Sequence, residues 1–237
     1  SSWSTVGGRR RRVYRLTRRG ESVLGEREAE WRRFSAAVEA VIEHDDDGAE
    51  KVVAGDDEID EIYLELDNRL LSLLALQAPV AADLRLVSVI MHSSLHLERI
   101  GDQAVNVAKA HQLSADLPRN ATIVQQIGEM GHIVVDMVRV AMDALRRRDM
   151  ELCMRLPKMD DPVDRLNRNM HFEVAKLADD PKALEWGMHM NLAARALERV
   201  GDNAVDIGEQ VSFLVSGEFR EFTDASHPGG VSASDAG

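Results

Sequence analysis

Two nine-residue strings one hundred positions apart, LERIGDQAV at 97–105 and LERVGDNAV at 197–205, are identical at seven positions. Upstream, AVEAVIEHDDDGAEKVVAGDDEID at 37–60 aligns without a gap to AMDALRRRDMELCMRLPKMDDPVD at 141–164, an offset of 104. The two offsets agree once one connection in the second copy is four residues shorter, and connections are where chain length varies most freely. A chain built this way has to fold the same unit twice.

The unit is helical. Of the 237 residues 44% are hydrophobic but only 4% are aromatic, and Ala, Leu, Met, Glu and Arg abound; such unbranched side chains lose least freedom in a helix. An all-β fold is excluded on that balance. In the first copy Leu24, Trp31, Phe34, Val38, Val41 and Ile42 recur at helical spacing, with Gly48 as a weak point costing about 1 kcal/mol relative to Ala. A second helix is expected from about Asp57 to Gln77, with Ile59, Tyr63, Leu66, Leu70, Leu73 and Leu74 on one face, and Pro79 ends it. The third runs from near Ala82 to about His111 and carries Leu86, Val87, Ile90, Leu97, Val105 and Val107. The second copy is expected to hold helices over about 119–156, 161–178 and 181–216, punctuated by Pro157, Pro162 and Pro181. The predicted fold is all-α: two tandem three-helix bundles, six helices in all, behind a short basic N-terminal arm. Its divisions are an arm at 1–33, repeats at 34–113 and 119–217, and a Gly- and Ser-rich tail at 218–237 expected to be disordered.

Charge divides the chain differently. Residues 1–33 hold ten arginines against four glutamates, a net of +6, so the remaining 204 residues carry −18 of the total −12. A body that acidic repels nucleic-acid phosphates and leaves metal ions and basic partners open. The arm begins with a Gly-Gly pair and a basic run that read as a strand or hairpin leading into a helix. The string GRRRRVYRLTRRGESVLGEREAEWRRFSAAVEAVI resembles the wing strand and C-terminal helix of PadR-type winged-helix regulators over about residues 3–42. It lacks the preceding helix that would read bases, so Arg9, Arg10, Arg11 and Arg12 are candidates for nonspecific phosphate contact only. A solvated basic arm is the alternative. The single cysteine, Cys153, forms no intrachain disulfide, no apolar run approaches the roughly 18 residues of a membrane span, and no apolar segment follows the arginines as in a secretory signal. A cytoplasmic setting follows as the expectation.

The repeated string sets Glu98 and Asp102 one turn apart on one helix face, and Glu198 and Asp202 likewise. Asn106 and Asp206 extend each stripe by another turn. Carboxylates so placed repel each other unless a cation lies between them, and hard or borderline metal ions take such oxygen ligands. A solvated helix face, with Arg99 and Arg199 pairing with the acids, is the other reading. Gly101 and Gly201 open a gap in side-chain volume where a ligand or another helix comes close.

With LLALQAPVAADLR at 73–85, LERIGDQAVNVAKA at 97–110, LERVGDNAVDIGEQV at 197–211 and DDEIDEIYLEL at 56–66, the chain resembles the PhoU family over about residues 36–217. The resemblance implies a cytoplasmic, all-helical, dimeric, non-enzymatic protein that associates peripherally with membrane complexes. It implies metal held on the two repeats, with iron the first candidate and zinc, manganese or magnesium as others. Glu98 and Asp102 take the first patch, Glu198 and Asp202 the second, and Asn106 and Asp206 support them. It further implies negative regulation of phosphate uptake and of phosphate-regulon signalling, linking the ATPase subunit of a phosphate ABC transporter to a sensor histidine kinase. His96 and Ala196 stand where the family motif often has another acid. The alternative function is the effector portion of a PadR-type DNA-binding fusion.

Asp56 with Asp60, and Asp160 with Asp164, repeat the four-residue spacing at the expected starts of the second helices, where capping accounts for them. His92 and His96 read as a surface or partly packed pair. Glu129 and His132 make one Glu-x-x-His where a di-iron oxidase needs two. Cys153 reads as a small packed residue, and Met188 and Met190 as core.

Overall fold

The first helix of each repeat breaks at the same place. The computed structural model describes residues 36–222, together with the backbone of two strands, Ser2–Val6 (β1) and Arg9–Val13 (β2). A helical segment over 36–43 (α1) ends where His44 takes a left-handed φ of 61°, and Asp45 then caps Asp46–Ala54 (α2), its side chain accepting from the Gly48 amide at 3.0 Å. One hundred and four residues on, Ala121–Arg147 (α5) ends at Arg148, φ 55°, and Asp149 caps Met150–Cys153 (α6). Even the turn-closing bonds correspond: Asp45 N–H to the Ala40 carbonyl at 3.0 Å, Asp149 N–H to the Ala144 carbonyl at 3.1 Å. The helix thus breaks at His44, four residues before Gly48, the weak point expected from the sequence. Gly48 is where a Cβ would collide with the capping Asp45 carboxylate, so the absence of a side chain there serves the cap.

The remaining helices are Asp56–Gln77 (α3), Ala82–Gln112 (α4), Leu156–Ala175 (α7) and Pro181–Ser216 (α8). Helices α2 and α3 pack on α4, α5 to α8 pack together as the second bundle, and α4 and α8 pack along each other as the seam between the repeats. They run antiparallel: His96 of α4 reaches Asn203 and Asp206 of α8, while Arg85, a few turns earlier, lies beside Gly217 at the end of α8. α1 also crosses the seam. Val38 and Ile42 lie against the bare backbone of Gly131 and Gly128 in α5, and Arg119 donates to the Val41 carbonyl at 2.7 Å, closing the end of α1. One continuous core results, from Ala37 and Val41 through Ile123, Met130 and Val134 to Trp186, Leu197 and Ile207.

Three expectations change. α7 starts at Leu156 rather than near 161, because Pro157 sits in the first turn, where an amide hydrogen has no partner in the helix, and Pro162 is carried inside it. The helix expected over 119–156 is two, divided at Arg148. The tail expected to be disordered from 218 is placed through Phe222, whose amide donates to Glu209 Oε1 at 2.6 Å and whose ring packs on Ala144, Cys153 and Val211. The rest of that tail lies outside the described residues. So do Leu24, Trp31, Phe34 and the rest of the PadR-like segment between β2 and residue 36. β1 and β2 pair antiparallel, Val6 opposite Arg9, in keeping with a hairpin arm.

Candidate metal centre on the paired acidic faces

In the second repeat α7 brings Asp160 and Asp164 against the face of α8 that carries Glu198, Asp202 and Asp206. Asp160 is the fifth residue of α7, not a cap, and it is 3% exposed. Its carboxylate rests on Gly201, where a Cβ would collide with Oδ1. The glycine inside the repeated motif thus admits an acid from the neighbouring helix. Asp164, also buried, accepts from Arg168 at 3.1 Å, and Glu198 Oε1 accepts from Arg195 at 2.8 Å, so Arg195 rather than Arg199 is the hydrogen-bonded partner of that acid. Glu198 Oε2 is buried without a hydrogen-bond partner, an arrangement that ordinarily disfavours a charge.

The electrostatics follow from that crowding. Burial is the main force raising the Asp202 carboxyl, followed by repulsion from Glu198, Asp164 and Asp206, and together they push it to about 6 although the side chain keeps an open edge to solvent. Glu198 is raised by burial, against the opposing Arg195, with Asp164 adding repulsion. Asp206 is raised by burial as well, opposed by His96 and Arg99 from the other repeat. His96 Nδ1 lies 2.9 Å from Asn203 Oδ1 and 3.4 Å from Asp206, so this histidine bridges the seam rather than pairing with His92, which turns to the Ser88 carbonyl.

The first repeat repeats the plan in a looser form. Glu98 is raised by burial and then by Asp102 and Asp60, and Asp56 by burial and then by Asp102 and Asp60. α3 and α4 therefore face each other with four acids, Asp56, Asp60, Glu98 and Asp102. Gly101 here meets Ile59, with a Cβ falling 3.0 Å from its Cδ1, instead of an acid. Asp102 and Asn106 are exposed, and the Asn106 amide turns to Gln103.

The all-oxygen donor sets suit hard or borderline cations such as iron, manganese or magnesium. The orphaned, buried Glu198 oxygen and the crowded Asp202 fit such an ion in the second patch. Asp56, Asp60, Asp160 and Asp164, assigned to caps from spacing alone, join the two patches. The signal that could have found them was the recurrence of their four-residue spacing in both repeats. Among the described residues one group of three His, Cys, Asp or Glu side chains brings its ligand atoms within 4.8 Å of one another: His44, Asp46 and His111. It has no counterpart in the motif and was not anticipated. The side chains of Arg9 to Arg12 lie outside the described residues. Cys153 is buried, its thiol pushed up to about 11 by burial and donating to the Asp149 carbonyl at 3.1 Å. Met190 is core, whereas Met188 is exposed.

A family model described as PhoU domain matches residues 32–110 and 127–211. A phosphate-specific transport system accessory protein PhoU homolog of Pseudomonas aeruginosa is 37% identical over 202 residues, covering 84% of this chain and 80% of the relative. The crystal structure of PhoU from Pseudomonas aeruginosa superposes with a TM-score of 0.78 at 32% identity, covering 84% of this chain and 95% of that one. The phosphate transport system regulatory protein PhoU from Streptococcus pneumoniae gives 0.75 at 26% identity, with 85% and 95% covered. Among the described residues no helix is long and apolar enough to cross a membrane.

Proposed function

The chain belongs to the PhoU family of phosphate transport accessory and regulatory proteins, and on that premise we propose that it is a metal-binding, non-enzymatic negative regulator of phosphate uptake. In this reading it works by contact, docking on the ATPase subunit of a phosphate transporter and on a sensor histidine kinase, and it acts as a homodimer. The observation that carries the metal reading is the second patch, where burial and then repulsion from three neighbouring carboxylates push Asp202 to about 6, and a Glu198 oxygen is buried without a hydrogen-bond partner.

Glu198, Asp202 and Asp206, backed by Asp164, would hold the ion in the second repeat, and Glu98 and Asp102, backed by Asp56 and Asp60, in the first. A bound divalent cation supplies the positive charge that these carboxylates lack. Gly201 keeps Asp160 seated, Arg195 orients Glu198, and His96 ties Asp206 to α4, so that charge at the patch bears directly on the seam between repeats. The exposed Leu71, Leu76, Val80 and Leu84 around the α3–α4 turn are an apolar edge of the kind a partner protein covers.

The test is a pull-down from phosphate-replete cells with the full chain as bait. Recovery of the transporter ATPase or the kinase, weakened at least about tenfold by Glu198→Ala with Asp202→Ala, supports the reading. Recovery of neither contradicts it.

A further inference from the structure

The acidic patches leave unused the group that draws its ligand atoms closest. His44 stands at the left-handed residue between α1 and α2, Asp46 is the first residue of α2, and His111 lies in the last turn of α4. His111 Nε2 and Asp46 Oδ1 are 2.8 Å apart, and the His44 and His111 rings meet edge to face with centres 5.2 Å apart and planes at 86°. The His111 side chain is 4% exposed, that of Asp46 63%. We propose that His44, Asp46 and His111 bind one divalent transition-metal ion of the zinc or cobalt type, clipping the α1–α2 break onto the end of α4.

Two imidazoles and one carboxylate are a donor set such ions favour, with a position left for water. The distances suit it. At metal–ligand lengths of about 2.0–2.1 Å, imidazoles sharing a tetrahedral ion hold their ring centres about 5 Å apart, and neighbouring ligand atoms stand about 3.3 Å apart. Insertion of the ion therefore asks the His111–Asp46 pair to open by roughly half an ångström, and the ligand atom of the exposed His44, within 4.8 Å of the other two, to close on them. Arg119, whose charge also bears on His111, is held away by its hydrogen bonds to the Val41 and Ile42 carbonyls.

The internal repeat supplies the control. By the offsets of 104 and 100, His44, Asp46 and His111 correspond to Arg148, Met150 and Val211. The second repeat makes the same left-handed break and the same Asp cap without them, and closes that corner with Ala144, Cys153 and Val211. The turn therefore does not require two histidines and an aspartate. An edge-to-face ring on a hydrogen-bonded pair would use the imidazoles too, but the second repeat, which makes the same turn, has neither.

The experiment is a cobalt(II) titration of the chelator-stripped full chain, followed by visible absorption, with zinc as competitor. One cobalt per chain should give the strong band of a tetrahedral nitrogen-containing site, displaced by zinc. His44→Ala, at an exposed position, and His111→Val, which copies the second repeat, should each abolish the band or weaken binding at least about tenfold while far-ultraviolet dichroism is kept. A chain carrying Glu98→Gln, Asp102→Asn, Glu198→Gln and Asp202→Asn should keep the band. No band with wild type, or a band that survives both histidine substitutions, overturns the proposal. Loss of the band in the four-acid variant alone assigns the ion to the acidic patches, overturning this site and leaving the regulatory reading intact.

Discussion

The two repeats share a motif and a break, but their second helices are packed differently. In the second, α7 sits between α5 and α8 and buries Leu156, Val163, Met170 and Val174 together with two acids. In the first, α3 leans mainly on α4 and buries only Leu70 fully, while Leu64, Leu71 and Leu76 remain exposed. The same Glu-x-x-x-Asp spacing therefore meets different surroundings. Where the bundle is closed, burial and then three neighbouring carboxylates push Asp202 to about 6, although its side chain keeps an open edge, and Gly201 admits the buried Asp160; where it is open, Asp56 and Glu98 are raised as well but Gly101 meets Ile59 in place of a buried acid. Burial of the neighbouring helix, more than the motif, sets how strongly each patch calls for a cation.

Truncation in the two repeats should separate them most widely. Trp186→Ala, removing a 2% exposed ring from the second bundle, should cost about 3–5 kcal/mol in urea unfolding. Leu71→Ala in α3 should change stability by no more than about 0.5 kcal/mol. Equal losses would mean that α3 is as firmly packed as α7.

The motif glycines should differ next. Gly201→Ala drives a Cβ into Asp160, and after the helix-propensity gain should still destabilise by about 1–2 kcal/mol. Gly101→Ala meets only Ile59 and should be within about 0.5 kcal/mol of wild type. Thermal melts of the two single variants decide it, and a harmless Gly201→Ala would remove the close approach of α7 to α8 from the account.

The smallest effect concerns pH. A carboxyl raised in the folded state binds its proton more tightly there than in the unfolded chain. Its ionisation therefore lowers stability as pH rises from the ordinary aspartate range, about 4, to the folded value of about 6, and not beyond. Chelator-treated Asp202→Asn should lose part of that decline and melt about 2 °C higher than wild type at pH 7. A flat wild-type profile between those pH values would contradict the crowding at the second patch.

Much of this was legible in the chain. The repeat told how many bundles to expect, Pro79 and Pro181 marked real boundaries, and the last helix runs over its expected span. What escaped was tertiary. Asp160 reads as a cap because its only local neighbours are helix-start signals, and nothing local says that a glycine forty-one residues away leaves room for it. Pro162 reads as a stop because its missing hydrogen bond is visible in sequence, while the packing of Val163 and Met170 that carries the helix through it is not. His111 and Asp46 are 65 residues apart and belong to no repeated pattern, so only the fold brings them together.

The central claim, that the paired acidic faces hold metal, is tested most directly by elemental analysis of protein purified without chelator. The His44→Ala, His111→Val chain serves as background, so that any ion retained belongs to the patches. Bound iron, manganese, zinc or magnesium, lost when Glu98→Ala and Glu198→Ala are added, is the result expected. The absence of all four metals, or a content unchanged by those two substitutions, would contradict it.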